Sequence, residues 1–187
     1  MSDPRHGPSD DELLAPFVAR GAAREGLGAD LRALHAAGRA AWPTIDLPML
    51  ALAEHLAALC SDSDGAPRDL GERNARDLYL ACAAARGDAE AVAALEREHL
   101  GGVVALLRRG GEDQTVAEEA AQRLRVKLLV GPESRDGGDD GPRLRGYGGR
   151  GALAAFLRVA ATREAVSLHR KAAQRRERPT EPAAQGR

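Results

Sequence analysis

Aromatic residues are scarce in this chain, with two Phe, two Tyr and one Trp among 187 residues. Any core must therefore be assembled from Ala, Leu and Val, which pack closely between helices and offer little to a sheet. The expected fold class is all-α. Cysteine is nearly absent too. Cys60 and Cys82 stand singly on apolar stretches, without metal-ligand spacing. They can in principle pair, but the usual burial of cysteine favours two buried thiols. The five histidines, His6, His35, His55, His99 and His169, fall on separate segments, and none has the i, i+4 partner of a zinc-binding helix. Neither a GxSxG elbow nor a GxxxxGK[ST] phosphate loop occurs. No metal or cofactor is expected, and no residue set supports covalent catalysis. The chain has no apolar run of about 18 residues that would span a membrane. Its first residues, MSDPRHGPSDDE, are polar and acidic, unlike a signal peptide. A cytoplasmic protein without membrane contact is the expectation.

The formal net charge of −1 conceals an uneven distribution. Between residues 112 and 140 acids outnumber bases, with Glu118 and Glu119 on one predicted helix and Asp136, Asp139 and Asp140 in a polar loop. From Arg143 to Arg178 the balance reverses, and only Glu164 and Glu177 oppose a series of arginines joined by Lys171. A basic C-terminal third is the footprint of a polyanion-binding surface.

Hydrophobic spacing and punctuation divide the chain into helices. Residues 1–9 read as a disordered tail and residues 10–60 as a helical N-terminal extension. Asp10, Asp11 and Glu12 favour the start of a first helix, which Gly26 and Gly28 should end. Asp30 should cap a second. Asp46 and Pro48 should open a third, carrying Met49, Leu52, His55, Leu56 and Leu59. Residues 61–73 read as a linker, and 74–172 as a second helical unit. There Gly87 stops one Ala-rich helix and Asp88 caps the next, which should run to about Arg109 with a kink at Gly101-Gly102. Thr115 and Glu118 form the pattern of a capping box. A Gly- and Asp-rich loop over 131–142 precedes a basic helix over 151–172, and residues 173–187 read as a disordered basic tail. The N-terminal helices lack basic clustering, so a structural or regulatory role without direct DNA contact is expected of them.

Two stretches near the C-terminus invite a chemical reading. The glycines of GYGGRG (146–151) precede a helix as in a dinucleotide loop, yet no strand comes before them, so a flexible turn is the better reading. On the basic helix, Arg158, Thr162, Arg163, Ser167, Arg170 and Lys171 can share a polar side opposite Leu153, Leu157, Ala161 and Leu168. Guanidinium and ammonium groups there suit phosphates, and the hydroxyls can reach base edges. Charge alone leaves a merely solvated face equally open.

The order of motifs resembles one family. Residues 78–109 hold Gly87-Asp88-Ala89-Glu90-Ala91 and Leu95, similar to the GD-x-x-A-x-x-x-L pattern in the second conserved region of extracytoplasmic-function RNA polymerase sigma factors. VAEEAAQRLRVKLL (116–129) resembles that family's acidic helix, with Glu118, Glu119 and Gln122 on its acidic positions and its glutamine. RLRGYGGRGALAAFLRVAATREAVSLHRK (143–171) resembles the stretch ending in N-x-x-x-D-x-x-R-R, with Phe156-Leu157 on its W-L pair and Arg170-Lys171 on the closing basic pair. VKLLVG, YGGRG and VAATREA look especially like the Myxococcales subfamily, and Ala41-Trp42-Pro43 like its leading extension. Phe156 stands where the family has Trp, Arg163 where it has Asn and Ser167 where it has Asp.

The resemblance implies a transcription initiation factor that works by binding, and not an enzyme. Glu118, Glu119 and Gln122 would dock on the clamp helices of the RNA polymerase core. Tyr147, Arg150, Phe156, Arg158, Thr162, Arg163, Ser167, Arg170 and Lys171 would engage and open promoter DNA at the minus-ten element, with Tyr147 and Phe156 supporting bases that leave the stack. An anti-sigma factor is a further expected partner. The family's fourth region, a helix-turn-helix, has too few residues left to form here, so a truncated product, a fragment or a minimal factor is expected. The alternatives are a degenerate sigma-like interaction protein and a generic helical nucleic-acid-binding protein.

Overall fold

Every regular element among the described residues of the computed structural model is helical, and the description covers residues 7–60, 70–131 and 142–177. The N-terminal layer comprises α1 (Asp10–Val18), α2 (Leu27–Ala41) and α3 (Met49–Ala58). Then come α4 (Ala75–Ala85), α5 (Ala89–Leu95), α6 (Val103–Arg109), α7 (Gln114–Leu129) and α8 (Leu153–Glu177). α1 packs on α3, α2 on α4 and α7 on α8, around a continuous apolar core that reaches from Leu13 to Leu168. α4 is buried at every position from Leu78 to Ala85. Its run of alanines lets neighbouring helices approach its backbone, which larger side chains would hold off.

The partner surface for the N-terminal stripe lies within the chain itself. Leu31, Leu34, Leu52 and Leu56 are buried, and the clasp against α4 is specific. The Tyr79 hydroxyl donates to the Ile45 carbonyl at 3.0 Å and accepts from the Leu47 amide at 3.1 Å. His35 Nε2 donates to the Leu47 carbonyl at 2.7 Å. Trp42 Nε1 donates to the Arg76 carbonyl at 3.0 Å, with the Arg76 guanidinium 4.9 Å from the indole centre.

Several helix ends depart from the sequence expectations, at α1 and α7 because a different side chain reaches the exposed amides. Ser9 belongs to the structure: it forms a capping box with Glu12, whose carboxylate accepts from the Ser9 amide at 2.8 Å. The first helix ends at Val18, well before Gly26, and Gly28 lies inside α2. Asp30 pairs with Arg24 and caps nothing, because α2 starts earlier, at Leu27 behind the left-handed Gly26. Pro48 occupies the cap position of α3, and Asp46 is exposed. α7 is capped by Asp113, whose Oδ1 accepts from the Val116 amide at 2.9 Å, and Glu118 bonds Gln114 and not the Thr115 amide. Residues 70–73 are not linker: Leu70 is buried in a 3₁₀ turn over Leu70–Glu72. The helix expected from 89 to 109 breaks at a π turn, Glu96–Leu100, ahead of Gly101. The Gly101 amide there donates to the Glu96 carbonyl, while Arg125 of α7 grips the Glu96 carboxylate at 2.6 and 3.0 Å. α8 runs to Glu177, past the expected boundary at 172. Residues 1–6, the rest of the linker (61–69), most of the acidic loop (132–141) and the tail from 178 lie outside the described residues.

Candidate nucleic-acid interface

Five connected hydrogen bonds hold the segment between Pro142 and Leu153. After a 3₁₀ turn at Arg143–Gly146, the Tyr147 carbonyl accepts from His55 Nε2 of α3 at 2.8 Å. Arg73 donates to the Gly148 carbonyl, and the Asn74 amide donates to the Gly149 carbonyl at 2.9 Å. The Tyr147 hydroxyl closes the turn on the Gly151 carbonyl at 2.7 Å, and Asp77 of α4 accepts from the Leu153 amide at 2.7 Å, at the start of α8. Gly149 has φ +78°, and a Cβ there would meet Leu78 at 3.3 Å, so both conformation and space call for glycine. The loop is a tied support for the helix that follows, and not a flexible turn.

Beside it opens a groove of about 1220 Å³ between α8, the loop and the end of α3. Its lining includes the cations Arg73, Lys127, Arg143, Arg150, Arg163 and Arg170. A single carboxylate, Glu164, joins them. Glu164 is 2% exposed and already neutralised, accepting from Lys127 Nζ at 2.7 and 2.8 Å and from Arg143 at 3.3 Å. The groove is therefore strongly cationic. A shallower strip along α8 continues it past Arg158, Thr162 and Val166. Among the described residues, the guanidinium groups of Arg158, Arg163 and Arg170 have no ion-pair partner.

Arg150, Phe156, Arg163, Ser167 and Arg170 thus come together in the groove, with Arg158 and Thr162 on the adjoining strip. Two expectations need correction. Tyr147 is 3% exposed, with its hydroxyl engaged, and burial, reinforced by Asp77, raises its phenol well above the usual range. It supports the half-buried Phe156, ring centroids 5.4 Å apart, and offers no stacking face of its own. Lys171 is exposed but lines neither the groove nor the strip. Glu118, Glu119 and Gln122 are exposed on α7, apart from the groove, and Glu119 accepts from Arg123 at 2.5 Å. No family model, curated protein or solved structure matches the chain.

Several residues of the site went unnoticed in the sequence. Glu164 occupies a position on the buried stripe of α8 between Ala161 and Leu168, and a lone carboxylate on an apolar stripe is a signal that a cation must reach it. Arg73 and Lys127 carry no such mark. Leu56, Leu59 and Cys60 bring the end of α3 to the groove, a placement that the sequence did not signal. The two cysteines are not bridged, and Cys60 is half-buried where burial was expected.

His55 makes the loop sensitive to acid. Burial, offset in part by its bond to the Tyr147 carbonyl, lowers its pKa below the ordinary histidine value, and Arg145 adds to the lowering. The fold therefore favours the neutral ring. Its contribution is fully present above the unfolded pKa of about 6.5 and is lost as pH falls through the lower, folded value. Thermal melting from about pH 7.5 down to about pH 5 should show a decline that is smaller in His55→Gln, whose amide can still donate to the carbonyl. Equal slopes in the two proteins would rule His55 out as the titrating group.

Proposed function

We propose that this chain is a transcription initiation factor that binds RNA polymerase core through α7 and promoter DNA, around the minus-ten element, through the groove beside α8. The observation that carries the DNA half is the groove itself, with six cationic side chains, one carboxylate already bonded to lysine and arginine, and Phe156 on its wall. Cations spaced along a rigid helix match the spaced charges of a phosphate backbone, and each contact releases counterions. Phosphate contacts set position, while Phe156 and Val159 give apolar faces on which unpaired bases can rest. The chain acts by binding, in the compartment where the polymerase works, and an anti-sigma factor is the class of regulator this reading implies. Among the described residues no helix is long and apolar enough to cross a membrane.

The polymerase half rests on the resemblance of α7 and on the exposure of Glu118, Glu119 and Gln122. Combining Glu119→Arg with Gln122→Ala should weaken core binding by about 2 kcal/mol, roughly thirtyfold, because a charge pair at a desolvated contact becomes a repulsion. Co-purification with core polymerase measures this, with circular dichroism to verify the helix. Unchanged affinity would remove α7 from the interface and leave a helical nucleic-acid-binding protein. Run-off transcription with core enzyme then tests whether the complex initiates.

A further inference from the structure

We infer that the N-terminal helices are part of the nucleic-acid site: the end of α3, at Leu59 and Cys60, contacts the bound strand across the groove from Phe156. The inference rests on reading the groove as a nucleic-acid site and adds a wall to it that the resemblance does not contain. Leu56, Leu59 and Cys60 line the same groove as Arg150, Phe156 and Arg163. Leu59 is 36% exposed, an apolar side chain left partly in water just past the last turn of a helix that buries Leu52 and Leu56. It packs over the loop backbone, since a Cβ at Gly148 would lie 3.1 Å from Leu59 Cδ1. His55, one turn earlier, holds the Tyr147 carbonyl of that loop. α3 is thus bonded to the floor of the groove and forms one side of it.

This wall bears on which nucleic acid fits. A duplex presents phosphates outward and keeps its bases stacked inside, so Leu59 and Phe156 would face hydrated backbone at no gain. A single strand can lay bases on apolar side chains while its phosphates reach Arg150, Arg163 and Arg170. The occupant favoured by this mixture of charge and apolar surface is single-stranded nucleic acid.

The test uses the full chain, a labelled single-stranded DNA of about a dozen nucleotides and its duplex, at low salt. Leu59→Glu should weaken strand binding roughly tenfold, through a new negative charge near the phosphates, and Leu59→Lys should strengthen it. A purely structural role for Leu59 would give both variants the same sign. Leu50→Glu, equally exposed on α3 but outside the groove, should bind as the unmodified protein does. Cys60 supplies an independent readout. The Cys82 thiol is pushed up to about 12 by burial and should stay inert, so a small aromatic disulfide reagent reports on Cys60. Saturating single strand should slow that reaction at least about tenfold, and the duplex should slow it much less. Suppose Leu59→Glu and Leu59→Lys bind alike and Cys60 reacts at one rate with or without strand, while Arg163→Gln and Arg170→Gln still lose affinity. Then α3 is not part of the site, although the groove reading stands. If none of these changes alters binding, both readings fail.

Discussion

Replacing Arg158, Arg163 and Arg170 together with glutamine is expected to lower affinity for single-stranded DNA roughly a hundredfold at about 0.1 M salt, and to flatten the log–log salt dependence by about two units. Each phosphate neutralised on a single strand contributes a slope of about 0.7, and three such contacts give both figures. The three residues follow one another along the outer side of α8, all exposed, with no ion-pair partner for their side chains among the described residues. Glutamine matches arginine closely in helix propensity, so α8 should persist. Melting temperature should consequently stay within a few degrees while binding collapses. Titrations at several salt concentrations would settle the matter: a lost affinity with an unchanged slope would mean that these arginines shape the groove without touching phosphate. Lys171→Gln, off the groove, should have much the smaller effect.

The largest effect on stability is expected at Tyr79. Its side chain is 1% exposed, and its hydroxyl joins the Ile45 carbonyl and the Leu47 amide in the connection between α2 and α3. Tyr79→Ala should cost at least about 4 kcal/mol, the sum of a large cavity and two buried backbone groups left without their partner. That is a large share of a domain's usual margin of about 5–15 kcal/mol, so the denaturation midpoint should fall steeply. Tyr79→Phe should cost only about 1–3 kcal/mol, since the ring stays and only the hydroxyl is lost. On the opposite side, Gly38 of α2 lies against the ring, and a Cβ there would fall 2.6 Å from Tyr79 Cβ and Cδ2. Gly38→Ala is therefore expected to destabilise by about 1–3 kcal/mol, although alanine is the better helix former in an open setting. Chemical denaturation of the three variants orders them; a stabilised Gly38→Ala would show that α2 and α4 can separate without penalty.

Helix identity was readable in this chain because it depends on neighbours a few residues apart. Asp88 before an Ala-rich run and Gly87 after one mark a helix start and stop, and the structure has both, with Asp88 accepting from the Ala91 amide at 2.8 Å. The stripe Leu153, Leu157, Ala161, Leu168 faces the core as its spacing requires. Cap choice was less legible, since Asp113 and Thr115 are both competent acceptors and only the geometry of the preceding turn selects between them. The π turn at Glu96 was not legible at all. It coincides with the grip of Arg125, a residue far away in sequence.

The same division runs through the site. The sequence by itself determined the all-helical class, the concentration of positive charge in its last third and the polar side of α8 on which Arg158, Arg163 and Arg170 stand, because composition and a 3.6-residue period need no tertiary information. Only the tertiary structure decided that Tyr147 is a buried support, that Glu164 is held by Lys127 and Arg143, and that α3 walls the groove. Exposure and pairing of this kind arise from contacts between distant segments, such as His55 with Tyr147, and nothing local to either segment encodes them.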